Sequence, residues 1–306
     1  MKIRVLGSAA GGGIPQWNCN CRNCSGVRTG TLRAHARTQS SIAVSGADPL
    51  CWALVNASPD VLRQLAANPV LQPARAPRDT AICAVVLADG QIDHTTGLYL
   101  LRESTRPLRV WCTDEVCADL SQGNPIFGVL KHYCGIERHA LRADGSAFAI
   151  EGLAGLEWRA LAVASKPAPY SPHRESPQPG DNVALLLTDR ASGRSLLYAP
   201  GLGAMEQHVW AAMQRADCVL VDGTFWHDTE MIDLGLSRKR ARDLGHLPQS
   251  GAGGMLEWLA RLPQGTRRIL IHINNTNPIL DEDSAERAEL VARGIEVASD
   301  GLEVQL

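Results

Sequence analysis

An α/β fold in which sheets pack on one another with helices on the outside is what this sequence predicts, on three observations. Short apolar runs rich in β-branched residues recur along the 306-residue chain, at lengths that fit buried strands. Stretches of helical period lie between some of these runs. Other runs follow one another with no helix between them, in the first fifty residues and again between 155 and 200, which does not suit a simple alternating parallel sheet.

In chain order the strand-like runs are KIRVLG from Lys2, SIAVSG from Ser41, WALVNAS from Trp52, AICAVVLADG from Ala81, RVWCT from Arg109 and LEWRALAVAS from Leu156. They continue with NVALLLTD from Asn182, SLLYAPG from Ser195, CVLVDGT from Cys218, RILIHINN from Arg268 and IEVASDGLEVQL from Ile295. Helical periodicity predicts helices over 58–68, 94–104, 203–215, 249–262 and 283–293. PDVLRQLAA and HTTGLYLLRE each begin with turn or capping residues directly after a strand. The stretch 165–182, SKPAPYSPHRESPQPGDN, carries five prolines and is either an active-site flap or a plain solvated connector. The chain, 1–306, is expected to form one domain.

Thirty basic residues against 32 acidic ones give a formal charge of -2, without the basic footprint that nucleic acid or a membrane surface attracts. The start, MKIRVLGSAAGGG, lacks the roughly 7–15-residue apolar core of a signal peptide, and no run approaches the about 18 apolar residues of a membrane span. A cytoplasmic protein with reduced thiols is therefore expected. Of the nine cysteines, Cys51, Cys83, Cys112, Cys117, Cys134 and Cys218 sit mostly in apolar runs and read as small buried hydrophobes.

Several constellations carry chemistry. In QWNCNCRNC, the residues Cys19, Cys21 and Cys24 form CxCxxC, three soft ligands that a structural zinc would bind with a fourth from elsewhere. Redox chemistry and incidental thiols are the alternatives. In LADGQIDHTTGL a strand ends near Leu87, and Asp89, Gln91, Asp93 and His94 follow at its carboxyl end, where reactive groups gather. Asp93 and His94 offer a carboxylate and an imidazole to one ion, unless Asp93 only caps the helix. His272 ends the strand RILIHINN, Asp222 ends CVLVDGT with His227 nearby, and His246 sits between Gly245 and Leu247 at a loop-to-helix junction. Each is weak alone, since a single such residue is more often a satisfied polar group. Four strand or loop ends bearing Asp or His invite a shared site.

Together these residues resemble the metallo-β-lactamase superfamily. Within it, GSAAGGGIPQWNCNCRNC, IDHTTGLYLLRE, DGTFWHDTEM, LGHLPQSG and HINNTNPIL are similar to the coenzyme PQQ synthesis protein B family over nearly the whole chain. The resemblance implies a four-layer αββα sandwich of two mixed sheets, with a site at one edge between them. Hydrolytic members carry HxHxDH, whose first two histidines hold one metal. Here the window reads Asp89-Gly-Gln91-Ile-Asp93-His94, no histidine lies between His139 and His173, and SLLY is followed by Pro200 and Gly201 after Ala199 rather than by a bridging aspartate.

The first metal's ligands are thus missing, while Asp93, His94 and His272 match the second metal's. Two imidazoles and a carboxylate are the facial triad of non-haem Fe(II) oxygenases. The resemblance implies Fe(II) at the active site, where zinc substitutes, and a structural Zn at the cysteines. The implied reaction is hydroxylation of the tyrosine ring in a Glu-Tyr-derived intermediate of pyrroloquinoline quinone (PQQ) biosynthesis. His246 or Asp222 would serve as acid/base, and Asp89 and Gln91 as substrate contacts. Rivals are a PQQ carrier and a residual hydrolase. Implied partners are the small-molecule or peptide-derived PQQ precursor and other proteins of that pathway, with no nucleic acid and no membrane span. His35, His132, His139, His173, His208 and His227 read as ordinary residues. In relatives with the cysteine cluster a histidine three residues beyond the one matching His272 is the fourth ligand. This chain has Asn275 there, a poor zinc ligand, so another residue or a water would have to complete the site.

Overall fold

The computed structural model describes residues 1–306. Fourteen strands form, in order β1 (Lys2–Gly7), β2 (Ser41–Ser45), β3 (Trp52–Val55), β4 (Ile82–Val86), β5 (Leu108–Cys112), β6 (Ile136–Ala140), β7 (Asp144–Phe148), β8 (Leu156–Ala162), β9 (Val183–Asp189), β10 (Ser195–Ala199), β11 (Cys218–Asp222), β12 (Arg267–Ile271), β13 (Ile295–Val297) and β14 (Glu303–Gln305). They build two seven-stranded mixed sheets, ordered β14-β1-β2-β3-β4-β5-β6 and β13-β12-β11-β10-β9-β8-β7.

Side-chain alternation explains the layers, because successive strand residues point to opposite faces. Ala53 and Val55 of β3 and Ala84 and Val86 of β4 face the second sheet, where Trp158, Leu185, Tyr198 and Leu220 meet them in the central core. Their neighbours Trp52, Leu54 and Val85 turn outward, under a helix-covered layer that includes Val61, Leu98 and Leu120. In β11, Val219 and Val221 likewise turn outward, toward Val209, Met213 and Leu259 of the helices on that side. The arrangement is the four-layer αββα sandwich that the resemblance implies.

Helices occupy Val61–Ala67, Ile92–Thr95, Gly97–Leu100, Gln207–Arg215, Met255–Ala260 and Ala285–Ala292, within the predicted segments or two residues ahead of them. Asp114–Ala118, Ile126–Leu130 and Glu230–Asp233 are helical outside every predicted segment, and further features depart from expectation or refine it. Arg22–Thr29 is helical, although no helix was predicted in the first fifty residues; it follows directly from the cysteine-bearing turn. β6 and β7 were not predicted, because they pair as outer strands with mostly unburied residues and lack an apolar run. Cys51 and Cys83 form a disulfide with Cα atoms 5.5 Å apart. Parallel pairing of β3 with β4 brings these two cysteines side by side, so they are not the free buried thiols anticipated. The proline-rich segment is anchored rather than freely solvated: Tyr170 donates its hydroxyl to the Gly90 carbonyl, and Thr113 Oγ1 donates to the Gly180 carbonyl at 2.7 Å.

The carboxyl ends of β4, β11 and β12 open on one edge of the sandwich. Gly97 fixes how the segment after β4 packs there. Its amide donates to the Ala57 carbonyl at 2.8 Å, and a Cβ at this position would lie 2.4 Å from the Ser58 carbonyl oxygen.

Candidate metal centre

Asp93 and His94 lie in the short Ile92–Thr95 helix after β4, and His272 directly follows β12. One ligand atom from each lies within 4.8 Å of the other two. Asp93 Oδ2 is 3.3 Å from His272 Nε2 and 3.8 Å from His94 Nε2. His272 has φ +61°, a left-handed conformation that a β-carbon disfavours and that is held here at a functional edge.

Each imidazole is tied down through its other nitrogen. His94 Nδ1 lies 2.8 Å from both carboxylate oxygens of Asp89, so it carries a proton there and Nε2 is the atom turned to the centre. That Nε2 is buried and has no hydrogen-bond partner. His272 Nδ1 lies 2.9 Å from Thr224 Oγ1. Metal-binding histidines are oriented in this way by an oxygen on the second nitrogen.

Electrostatics point the same way. Burial alone would raise Asp93, but His94 and His272 outweigh it and hold the carboxyl well below its ordinary range. Burial would lower His94, yet Asp89 and Asp93 raise it to about 9. Two carboxylates around a buried ring thus form a pocket that favours positive charge, and the bare, orphaned His94 Nε2 suits a metal.

A second trio, Asp222, His246 and His272, also falls within 4.8 Å, but Thr224 already occupies its centre. Thr224 Oγ1 is 2.6 Å from Asp222 Oδ1, 3.1 Å from His246 Nδ1 and 2.9 Å from His272 Nδ1. His246 Nδ1 donates to Asp222 Oδ2 at 2.8 Å. Asp222 also accepts from the Leu202 and Thr224 amides. This trio is a hydrogen-bond network in which the Thr224 hydroxyl, the Asp222 carboxylate and both Nδ1 atoms are already paired. Burial opposes both charges, but the pairing keeps Asp222 below its ordinary value and raises His246 above its own. The His246 and His272 rings stack with centroids 5.3 Å apart.

Asp93, His94, Thr224, His246 and His272 line a cavity of about 230 Å³, which the fully buried Asp222 does not border. Asp89 borders it with its carboxylate committed to His94, which makes it an orienting group rather than a free substrate contact. Gln91 lines the cavity and its Nε2 donates to the Lys166 carbonyl at 3.1 Å. Thr224, Lys166 and Asn182 also line it and were not singled out in the sequence. Thr224 stands two residues after the strand-ending Asp222, and that proximity was the available signal. His227 pairs with Ser250 Oγ at 2.8 Å and is absent from the lining.

The cysteine trio also comes together. Cys19, Cys21 and Cys24 place their sulfurs within 4.8 Å of one another, and Asn275 Nδ2 covers their open face at 3.1, 3.7 and 3.2 Å. Burial pushes Cys21 up to about 12. Cys19 is drawn down, against burial, by the Cys21 amide and the neighbouring thiols. The group over the three sulfurs is therefore the Asn275 side-chain amide, and the Asn275 backbone carbonyl accepts from Asn23 Nδ2 at 3.0 Å.

The family model described as beta-lactamase superfamily domain matches residues 51–273. The chain is 65% identical over 306 residues to a coenzyme PQQ synthesis protein B of Azoarcus sp. (strain BH72), covering all of both chains. It is 58% identical over 307 residues to the protein of that name from Pseudomonas aeruginosa (strain UCBPP-PA14), again over both full lengths. Among solved structures, Zn(2+)-bound PqqB from Methylobacterium extorquens superposes with a TM-score of 0.89 at 38% identity over all of both chains. A diphosphatase of the PhnP family shares the fold, with a TM-score of 0.70 at 15% identity over 100% of this chain and 97% of that one.

Proposed function

This chain belongs to the coenzyme PQQ synthesis protein B family and serves PQQ biosynthesis, and from that premise we propose that it is a single-metal hydroxylase acting on the tyrosine ring of a Glu-Tyr-derived intermediate. The observation that carries the proposal is the convergence of Asp93, His94 and His272 opposite a wall, at Gln91 and Gly201, that offers no ligand for a second metal. Two-metal hydrolysis needs ions on both the attacking and the leaving oxygen, so the donor set favours one-metal chemistry. Zinc in the Methylobacterium extorquens relative is consistent with a metal here and does not identify the working one, since zinc binds such sites more tightly than Fe(II).

Asp93, His94 and His272 would hold Fe(II), which would supply dioxygen activation for ring hydroxylation: a ring C–H, dioxygen, two electrons from a reductant and two protons give a ring C–OH and water. The chain's own groups do the rest. Asp89 and Thr224 hold the two ligand rings in the Nδ1–H form, which keeps both Nε2 lone pairs toward the centre. His246, with its Nδ1 proton held by Asp222, is the acid/base: its Nε2 takes the phenolic proton as the ring is oxidised and returns it afterwards. Gln91 helps fix the wall of the cavity through the Lys166 carbonyl.

Anaerobic loading with Fe(II), followed by dioxygen, a reductant and the Glu-Tyr-derived compound, should give an oxygenated product by mass spectrometry. His94→Ala should lose both the active-site iron and the product. Iron-loaded protein that binds the compound and leaves it unoxidised would overturn the hydroxylase and favour a carrier.

A further inference from the structure

Two chemically different sets of groups line the cavity, Asp93, His94 and His272 in the first and Ser165, Lys166, Asn182 and Gly201 in the second. In hydrolytic members of the superfamily a first metal, held by the two leading histidines of HxHxDH, supplies further positive charge. Here the matching positions are Asp89, turned to His94, and Gln91, turned to the Lys166 carbonyl. What remains is Lys166, the one lysine or arginine in the cavity lining. It makes no ion pair within the protein.

Lys166 is carried on a fixed backbone. Ser165 Oγ donates to the Gly245 carbonyl at 2.8 Å, Gln91 Nε2 donates to the Lys166 carbonyl at 3.1 Å, and the Gly203 amide donates to the Ala164 carbonyl at 2.7 Å. Asn182 is 6% exposed. Its backbone is held by a bridge to Asp89 and by the Val163 amide, 3.0 Å from its carbonyl. Its side-chain amide has no partner in the protein and lies in the cavity wall. That amide is free to bond a ligand in the cavity.

We propose that Lys166 and Asn182 form a carboxylate-binding corner that seats the substrate in the same cavity as the metal ligands, with Lys166 Nζ as the ionic partner and Asn182 Nδ2 as hydrogen-bond donor. One ammonium and one amide suit the two oxygens of a single carboxylate. The corner rests on the reading of the substrate as an amino-acid-derived, carboxylate-bearing compound. It adds a direction: the carboxylate is held at Lys166, so that the ring lies toward Asp93, His94 and His272.

The probe is PQQ, which carries carboxylates, with its trimethyl ester as the uncharged control, titrated into metal-loaded protein. Lys166→Met should weaken PQQ binding by about 10- to 100-fold, the scale of one charge-assisted hydrogen bond, and leave ester binding and metal content unchanged. Lys166→Arg should restore most of the affinity, and Asn182→Asp should weaken PQQ further by placing like charges together. Wild-type protein that does not bind PQQ, or binds it as tightly after Lys166→Met, overturns the corner. The corner and the hydroxylase fail separately. Lys166-dependent PQQ binding without oxygenated product removes only the hydroxylase, and product formation whose KM ignores Lys166→Met removes only the corner.

Discussion

Thr224 has one hydroxyl proton and four polar neighbours: Asp222 Oδ1, His246 Nδ1, and both Nδ1 and the carbonyl of His272. The shortest of these contacts, 2.6 Å to Asp222, takes the proton, so Thr224 accepts from His272 Nδ1–H and sets that ring's tautomer. Losing such an orienting partner costs about 10- to 100-fold in metal affinity. Thr224→Val should show that loss at the active site in an equilibrium metal titration, while Thr224→Ser should retain wild-type affinity. At this scale the three metal-ligand candidates were legible because charged residues at strand ends stand out against apolar runs. Thr224 was not, because a short hydroxyl has no pattern and its importance arises only when strands β11 and β12 lie side by side. Asp89 was legible as a site residue but not as the partner of His94, since a carboxylate five residues before an imidazole is compatible with many turns.

The elements place these residues. β4 runs parallel to β3, and the Gly97 amide bonds back to Ala57 just beyond β3, which sets the helix carrying Asp93 and His94 against that loop. Gly97→Ala would put a methyl group against two fixed carbonyls. Overpacking of this kind costs about 1–3 kcal/mol, so chemical denaturation should find the variant less stable, with weaker metal binding as the helix is displaced. The N-terminal cysteine turn is the second positioned element. Asn275, three residues after His272, lies over the three sulfurs, which links the cluster to the same loop that holds the active-site ligand. Asn275→His supplies a better zinc ligand and should slow loss of zinc from the cluster to a chelator relative to the wild type. Strands of apolar sequence were legible from their runs. Arg22–Thr29 was not, because RNCSGVRT offers three buried residues, Asn23, Cys24 and Gly26, and no apolar face. β6 and β7 failed for the same reason, having no solid run to read.

Across the whole molecule, two sheets enclose one apolar layer and leave the site at an open edge, with buried polar groups concentrated there. Glu230 is such a group. Burial raises it from 4.5 to about 7, against the opposing bonds from Thr276 Oγ1 and the Trp226 amide. An acid whose folded value is raised holds its proton longer in the native state than in the unfolded one, so its contribution to stability falls as pH rises from about 4.5 to about 7. Glu230→Gln should remove that decline, and the wild type should lose stability relative to the variant across this window in denaturation at fixed ionic strength. The layers were legible from the mixture of adjoining strand runs and intervening helices and from the family resemblance. The Cys51–Cys83 bond was not, since it depends on which strands become neighbours. The central claim concerns the edge between the sheets, one metal and oxygen chemistry on an aromatic ring. It is tested most directly by reaction of the iron-loaded protein with the Glu-Tyr-derived compound and a reductant under isotopically heavy dioxygen in ordinary water. The account predicts heavy oxygen in the product ring and none of it when the label is in the water. An unlabelled product, or none from protein with its iron in place, would contradict it.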